Sequence, residues 1–97
     1  MSKKTPTSKT SQKSLSMKRS GGAIWKVRVD GANVAFTGNR GSKKVTPGEH
    51  AVQWFVQGVP GSSYSFETTA PAEAQFKHEA TFDGSAKDMG SAWITVN

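Results

Sequence analysis

The side chains able to do acid–base, metal or nucleophilic chemistry are few and badly placed for it. His50 and His78 are the two histidines, and each sits beside an acid, Glu49 and Glu79. Both fall in runs where apolar and polar residues alternate. Neighbours in such a run point to opposite faces, so neither His–Glu pair makes one site on a regular strand. A metal would need ligands from elsewhere in the chain, and no metal or cofactor is expected. Ser62 and Ser63 follow Gly58-Val59-Pro60-Gly61, which is not the Gly-x-Ser-x-Gly elbow of a hydrolase. Asp83-Gly84-Ser85-Ala86-Lys87-Asp88 opens like a calcium loop, but Lys87 intrudes and the ligands run short. With no cysteine, there is no disulfide, thiolate nucleophile or cysteine-ligated metal. No site emerges, so the expectation is a protein that is not an enzyme.

Residues suited to contact are easier to find. Trp25 and Trp54 fall on the apolar sides of their runs and read as core. Phe55 and Trp93 fall on the opposite sides, among Gln53, Gln57 and Thr95. Exposed aromatics on a sheet mark a surface for a protein or a sugar ring, which makes Phe55, Trp93 and Tyr64 the expected partner-binding residues. Period-two reasoning alone does not say which sheet face is inside. The formal net charge is +6, and it resides in Lys3, Lys4, Lys9, Lys13, Lys18 and Arg19, since the acids and remaining bases balance after position 20. Arg40, Lys43 and Lys44 form a second basic cluster. Together these are the expected polyanion contacts, for nucleic acid or another polyanion.

The elements that must carry these residues follow from spacing. Residues 1–21 are rich in Ser, Thr and Lys, hold no aromatic residue, and are expected to be a disordered basic tail. Residues 22–97 read as one domain. Trp25, Val27 and Val29 alternate with Lys26 and Arg28, and Asp30-Gly31 marks a tight turn with a return over residues 33–36. Residues 37–44 read as an exposed loop. His50, Val52, Trp54 and Val56 share a face of the clearest strand, and further alternating runs cover residues 64–68, 76–82 and 91–97. No helical period survives ten residues. Six or seven short strands with Gly/Pro turns predict an all-β fold, a small antiparallel sandwich of immunoglobulin-like type.

Pro47-Gly48-Glu49-His50-Ala51-Val52 resembles the turn-plus-strand start of PEGA-type and carboxypeptidase-regulatory-like β-sandwich modules, which implies the same fold class and no functional residue. The expected function is a non-catalytic interaction module binding a protein partner, with a tail that tethers it to a polyanion. Alternatives are a carbohydrate-binding module and a structural subunit joining copies through sheet edges. No apolar run approaches the length of a membrane helix and none follows the basic start, so the expected compartment is the cytoplasm.

Overall fold

The computed structural model describes residues 12–97. Nine strands form two antiparallel sheets: β1 (Lys13–Gly21), β2 (Ile24–Val29), β3 (Ala32–Asn33), β4 (Phe36–Thr37), β5 (Arg40–Val45), β6 (Gly48–Gln57), β7 (Ser63–Ala70), β8 (Phe76–Thr81) and β9 (Lys87–Val96). Sheet I has the order β4-β5-β1-β7-β8, and sheet II the order β3-β2-β6-β9. A single 3₁₀ turn at Ala72–Ala74 links β7 to β8. Among the described residues no helix is long and apolar enough to cross a membrane.

The largest departure from expectation is β1. Residues 13–21 are not a tail but the central strand of sheet I, paired with β5 on one side and β7 on the other. Leu15 and Met17 are completely buried. Burying two such side chains contributes about 1.5–3 kcal/mol each, and together with backbone pairing on both sides this orders a strand whose outward residues are Ser and Lys. The boundary at residue 21 is therefore wrong. Gly21 and Gly22 form the corner by which the chain leaves sheet I for sheet II, both with positive φ. A Cβ at Gly22 would lie 2.5 Å from Val56 Cγ2, so glycine is required there twice over. Lys3, Lys4 and Lys9, with the rest of residues 1–11, lie outside the described residues.

The expected loop at residues 37–44 is also corrected. Only Gly38 and Asn39 turn, and Arg40–Val45 is strand β5, whose register opposes Lys18 to Arg40 and Ser14 to Lys44. Arg19 fixes this hairpin. Its guanidinium lies 4.3 Å from the Phe36 ring centroid and donates to the Gly38 carbonyl at 2.9 Å.

The Asp30-Gly31 turn forms as expected, with φ of 52° and 82°, the two positive values a type I′ hairpin demands. The return strand stops at Asn33, and the chain crosses to sheet I at Phe36.

Between the sheets, Val27, Val29, Val52, Trp54, Val56, Ile94 and Val96 from sheet II meet Leu15, Met17, Tyr64 and Phe66 from sheet I. Trp54 is the hub, with ring centroids of Phe66, Phe76 and His78 within 5.1–5.8 Å. Gly90 on β9 makes room for it, since a Cβ there would sit 2.3 Å from Trp54 Cζ2. Trp25 is half-buried at the border of this core.

Candidate functional site: the outer face of sheet II

The pairing of β2, β6 and β9 lays out the face turned away from the core. Ile24 stands beside Gln57 and Lys87, Lys26 beside Phe55 and Met89, Arg28 beside Gln53 and Ser91, and Ala51 beside Trp93. Four large apolar side chains project from this face into solvent: Ile24, Phe55, Met89 and Trp93, the last 74% exposed. Ile24, Phe55 and Met89 line a shallow groove with Lys26, Arg28, Gln57 and Lys87. Asp88 also borders it, but its carboxylate is engaged, taking the Tyr64 hydroxyl at 2.6 Å and the Met89 N–H at 2.9 Å. The groove thus presents apolar contacts and three cations.

Phe55 and Trp93 share this exposed face as expected. They are not adjacent, however, because Phe55 lies four positions along β6 from Ala51, the residue opposite Trp93, which is about 13 Å along the strand. Tyr64, grouped with them in the sequence reading, is corrected: it is 2% exposed and belongs to the core. Its hydroxyl donates to Asp88 and accepts from Trp54 Nε1 at 3.4 Å, with His78 Nε2 at 3.2 Å. Burial and the bond to Asp88 push the phenol up to about 12, so it stays protonated at neutral pH. Ile24 and Met89 escaped the sequence reading. In Ile24 the alternation was there to read, since it shares parity with Lys26 and Arg28. Met89 lies just ahead of the alternating run read over residues 91–97, because β9 begins earlier, at Lys87.

The histidines are held for structure. The two ring nitrogens of His50 lie 2.6 Å from Asp30 Oδ2 and 2.6 Å from the Thr46 carbonyl. Both partners accept, which favours the doubly protonated ring. The hydrogen bond to Asp30 raises the His50 pKa against its desolvation, and the Thr46 carbonyl adds to the rise. For Asp30, desolvation pushes upward, but bonds from His50 and the Ala51 N–H outweigh it and leave the carboxyl below its ordinary value. His50 and His78 belong to different sheets. Among the described residues no three His, Asp or Glu side chains converge as a metal would need. Ser62 donates to the Val59 carbonyl and Ser63 bonds Thr81, so both hydroxyls serve local turns and pairs.

The basic residues divide. Lys18 and Arg40 are direct cross-strand neighbours on the outer face of sheet I, with Lys44 on the same strand as Arg40. Lys43 instead lies opposite Leu15, half-buried, and Lys13 pairs with Glu73 at 3.2 Å. Arg19 is occupied with Phe36 and Gly38. Glu67 stands opposite Lys18 on its other side, which dilutes the patch. Comparison with known proteins adds nothing to this geometry: no family model, no curated protein and no solved structure matches the chain.

Proposed function

We propose that this protein is a non-catalytic interaction module whose outer sheet II face docks a protein partner. The observation that carries the reading is the gathering of Ile24, Phe55 and Met89, at 62%, 50% and 60% exposure, around one groove. Scattered exposed apolar residues need no explanation, but a contiguous patch on a small domain marks a contact surface. Lys26, Arg28 and Lys87 rim the patch with no free carboxylate among them, so the matching partner presents apolar anchors flanked by Asp or Glu. The polar side chains nearest to a catalytic set, Tyr64, His78 and Asp88, are spent on one another between the sheets. A polyanion contact through Lys18, Arg40 and Lys44 is a secondary part of the same proposal.

The strand order supports an immunoglobulin-like assignment within the two-sheet fold. In such domains one sheet reads A-B-E-D and the other C-F-G, with C′ beside C in variable types. Here β1, β5 and β4 fall in the places of B, E and D, and β3, β2, β6 and β9 in those of C′, C, F and G. The β7–β8 hairpin, inserted between F and G, takes the place of strand A.

The test is a pull-down and titration against acidic, apolar peptides with full-length protein and the Ile24→Ser/Phe55→Ser variant. Binding should fall at least tenfold in the variant, while its thermal transition stays in place. Unfolding of the variant, or unaltered binding, removes the docking face.

A further inference from the structure

The four sheet edges are protected unequally. β3 and β4 are two residues long, and β8 carries Lys77 and Glu79 on its exposed face. Short strands and charges are the usual means by which proteins prevent strangers from adding a strand. β9 is ten residues long, its charges are confined to Lys87 and Asp88 at its start, and from Met89 to its end it holds no charge and no proline. Its pairing with β6 runs without a bulge.

Which backbone groups of β9 are open follows from β6. The Ala51 and Gln57 carbonyls accept from Asp30 and Ala23, on the β2 side, so odd residues of β6 turn their backbone groups toward β2 and even ones toward β9. The partners of those even residues in β9 are also even, as in Val52 opposite Ala92. The odd residues of β9 therefore aim their N–H and C=O groups away from the sheet. Some are already used: Ser85 Oγ holds both backbone groups of Lys87, Asp88 takes the Met89 N–H, and Glu73 takes the Asn97 N–H. Among the described residues the open run extends from the Met89 carbonyl to Thr95, and its midpoint is Ala92.

We propose that β9 pairs antiparallel with β9 of a second copy of this chain, about a two-fold axis at Ala92. The strand is self-complementary in that register. Ser91 stands opposite Trp93 of the second copy, and Met89 opposite its Thr95. Small Ser91 leaves space for the indole, and the two Trp93 rings become diagonal neighbours, within aromatic reach. The side chain with the greatest exposure among the large apolar residues is thereby covered. Charge agrees as well: Lys87 lies at one end of β9, while Glu49, opposite Thr95, and Glu73, which binds Asn97 and is shared with Lys13, lie at the other. A two-fold axis brings the basic end of each strand to the acidic end of its mate. The result is one continuous eight-stranded sheet. This contact uses the backbone edge of β9 and shares only Met89 with the groove's apolar residues, leaving Ile24 and Phe55 uncovered, so variants at those two residues test the two readings separately.

Sedimentation of the full-length chain is the test. The wild type should reach twice the monomer mass, whereas Ser91→Pro, which removes an outward N–H, and Trp93→Glu should remain monomeric with an intact thermal transition. Phe55→Ser should still dimerise. In a mild oxidant Ala92→Cys should form a covalent dimer, because opposed non-hydrogen-bonded Cα atoms lie about 4.5 Å apart, within disulfide range. Thr95→Cys, displaced from its copy across the axis, should not. A wild-type monomer up to about 1 mM, the weak limit of a specific contact, overturns the proposal. So does a Trp93→Glu dimer, or cross-linking by Thr95→Cys and not by Ala92→Cys.

Discussion

The outer surfaces of the two sheets are built on the same plan and end up chemically unlike. Both expose every second residue of long antiparallel strands. Sheet I offers Ser14, Lys18, Ser20, Arg40, Lys44, Lys77 and Glu79, and no large apolar side chain. Sheet II offers Ile24, Phe55, Met89 and Trp93. Stability requires nothing of either surface beyond strand propensity, so an apolar residue on the outside of sheet II has no folding purpose that its counterpart in sheet I lacks. The difference is the one the proposed docking face requires: one surface is suited to water alone, the other carries apolar side chains that a partner would cover. It also shows how little an outer face says about the inner one, because the blander sheet buries Leu15 and Met17 as completely as sheet II buries Val52 and Val56.

The strongest way to break this contrast is from inside. Leu15→Ala should destabilise the protein by about 2–5 kcal/mol, the range for a large-to-small change at a closed core site, and deleting residues 1–21 should abolish the cooperative transition. Chemical denaturation measures both. If the deletion melts like the full chain, β1 is an ornament of sheet I and the division between the sheets must be redrawn.

A smaller effect concerns the support beneath the apolar face, where Asp30 and His50 tie the β2–β3 turn to β6. The His50 pKa is raised, so its contribution is complete below the ordinary histidine value and disappears as pH rises through the raised one. The Asp30 pKa is lowered, so its share is complete above the ordinary aspartate value and disappears as pH falls through the lowered one. Between these limits His50→Gln should cost on the order of 1 kcal/mol, a modest figure because the Asp30 side chain is half exposed and screened. Urea titrations from pH 4 to 9 should show the two proteins converging at the alkaline end. A difference independent of pH there would mean that packing, not the ion pair, holds the turn.

The least effect on stability belongs to the polar face. Replacing Lys18, Arg40 and Lys44 by Gln should leave the melting temperature within scatter, as surface changes generally do. It should reduce the salt dependence of any binding to heparin by up to three charges' worth, about 2–3 in slope. An unchanged slope places the contact elsewhere.

What the sequence disclosed follows the strength of alternation in each segment. β6 was legible because His50, Val52, Trp54 and Val56 alternate without interruption, and Asp30-Gly31 announced its turn as a dipeptide that tolerates two positive φ values. The exposure of Phe55 and Trp93 could be read from the same period. β1 was illegible because only Leu15 and Met17 mark its inner side, and two apolar residues among Ser and Lys look like a solvated tail until β5 and β7 flank them. β5 failed for a similar reason: Gly41 and Lys43 occupy two of its three inward positions, leaving only Val45 as an apolar mark. Tyr64 was misjudged because an aromatic hydroxyl suits both a surface and a core, and its partner Asp88 comes from a distant strand.

The placement of β1 has a consequence for synthesis. It precedes both of its neighbours in the chain, and β7 is completed only at Ala70. At about 5–20 residues per second it waits for seconds after emerging, with both edges open. A strand rich in Val, Ile and Phe left in that condition would recruit other nascent chains. Lysine and serine on β1 are a safeguard against that, and its meagre apolar content is the cost of waiting safely.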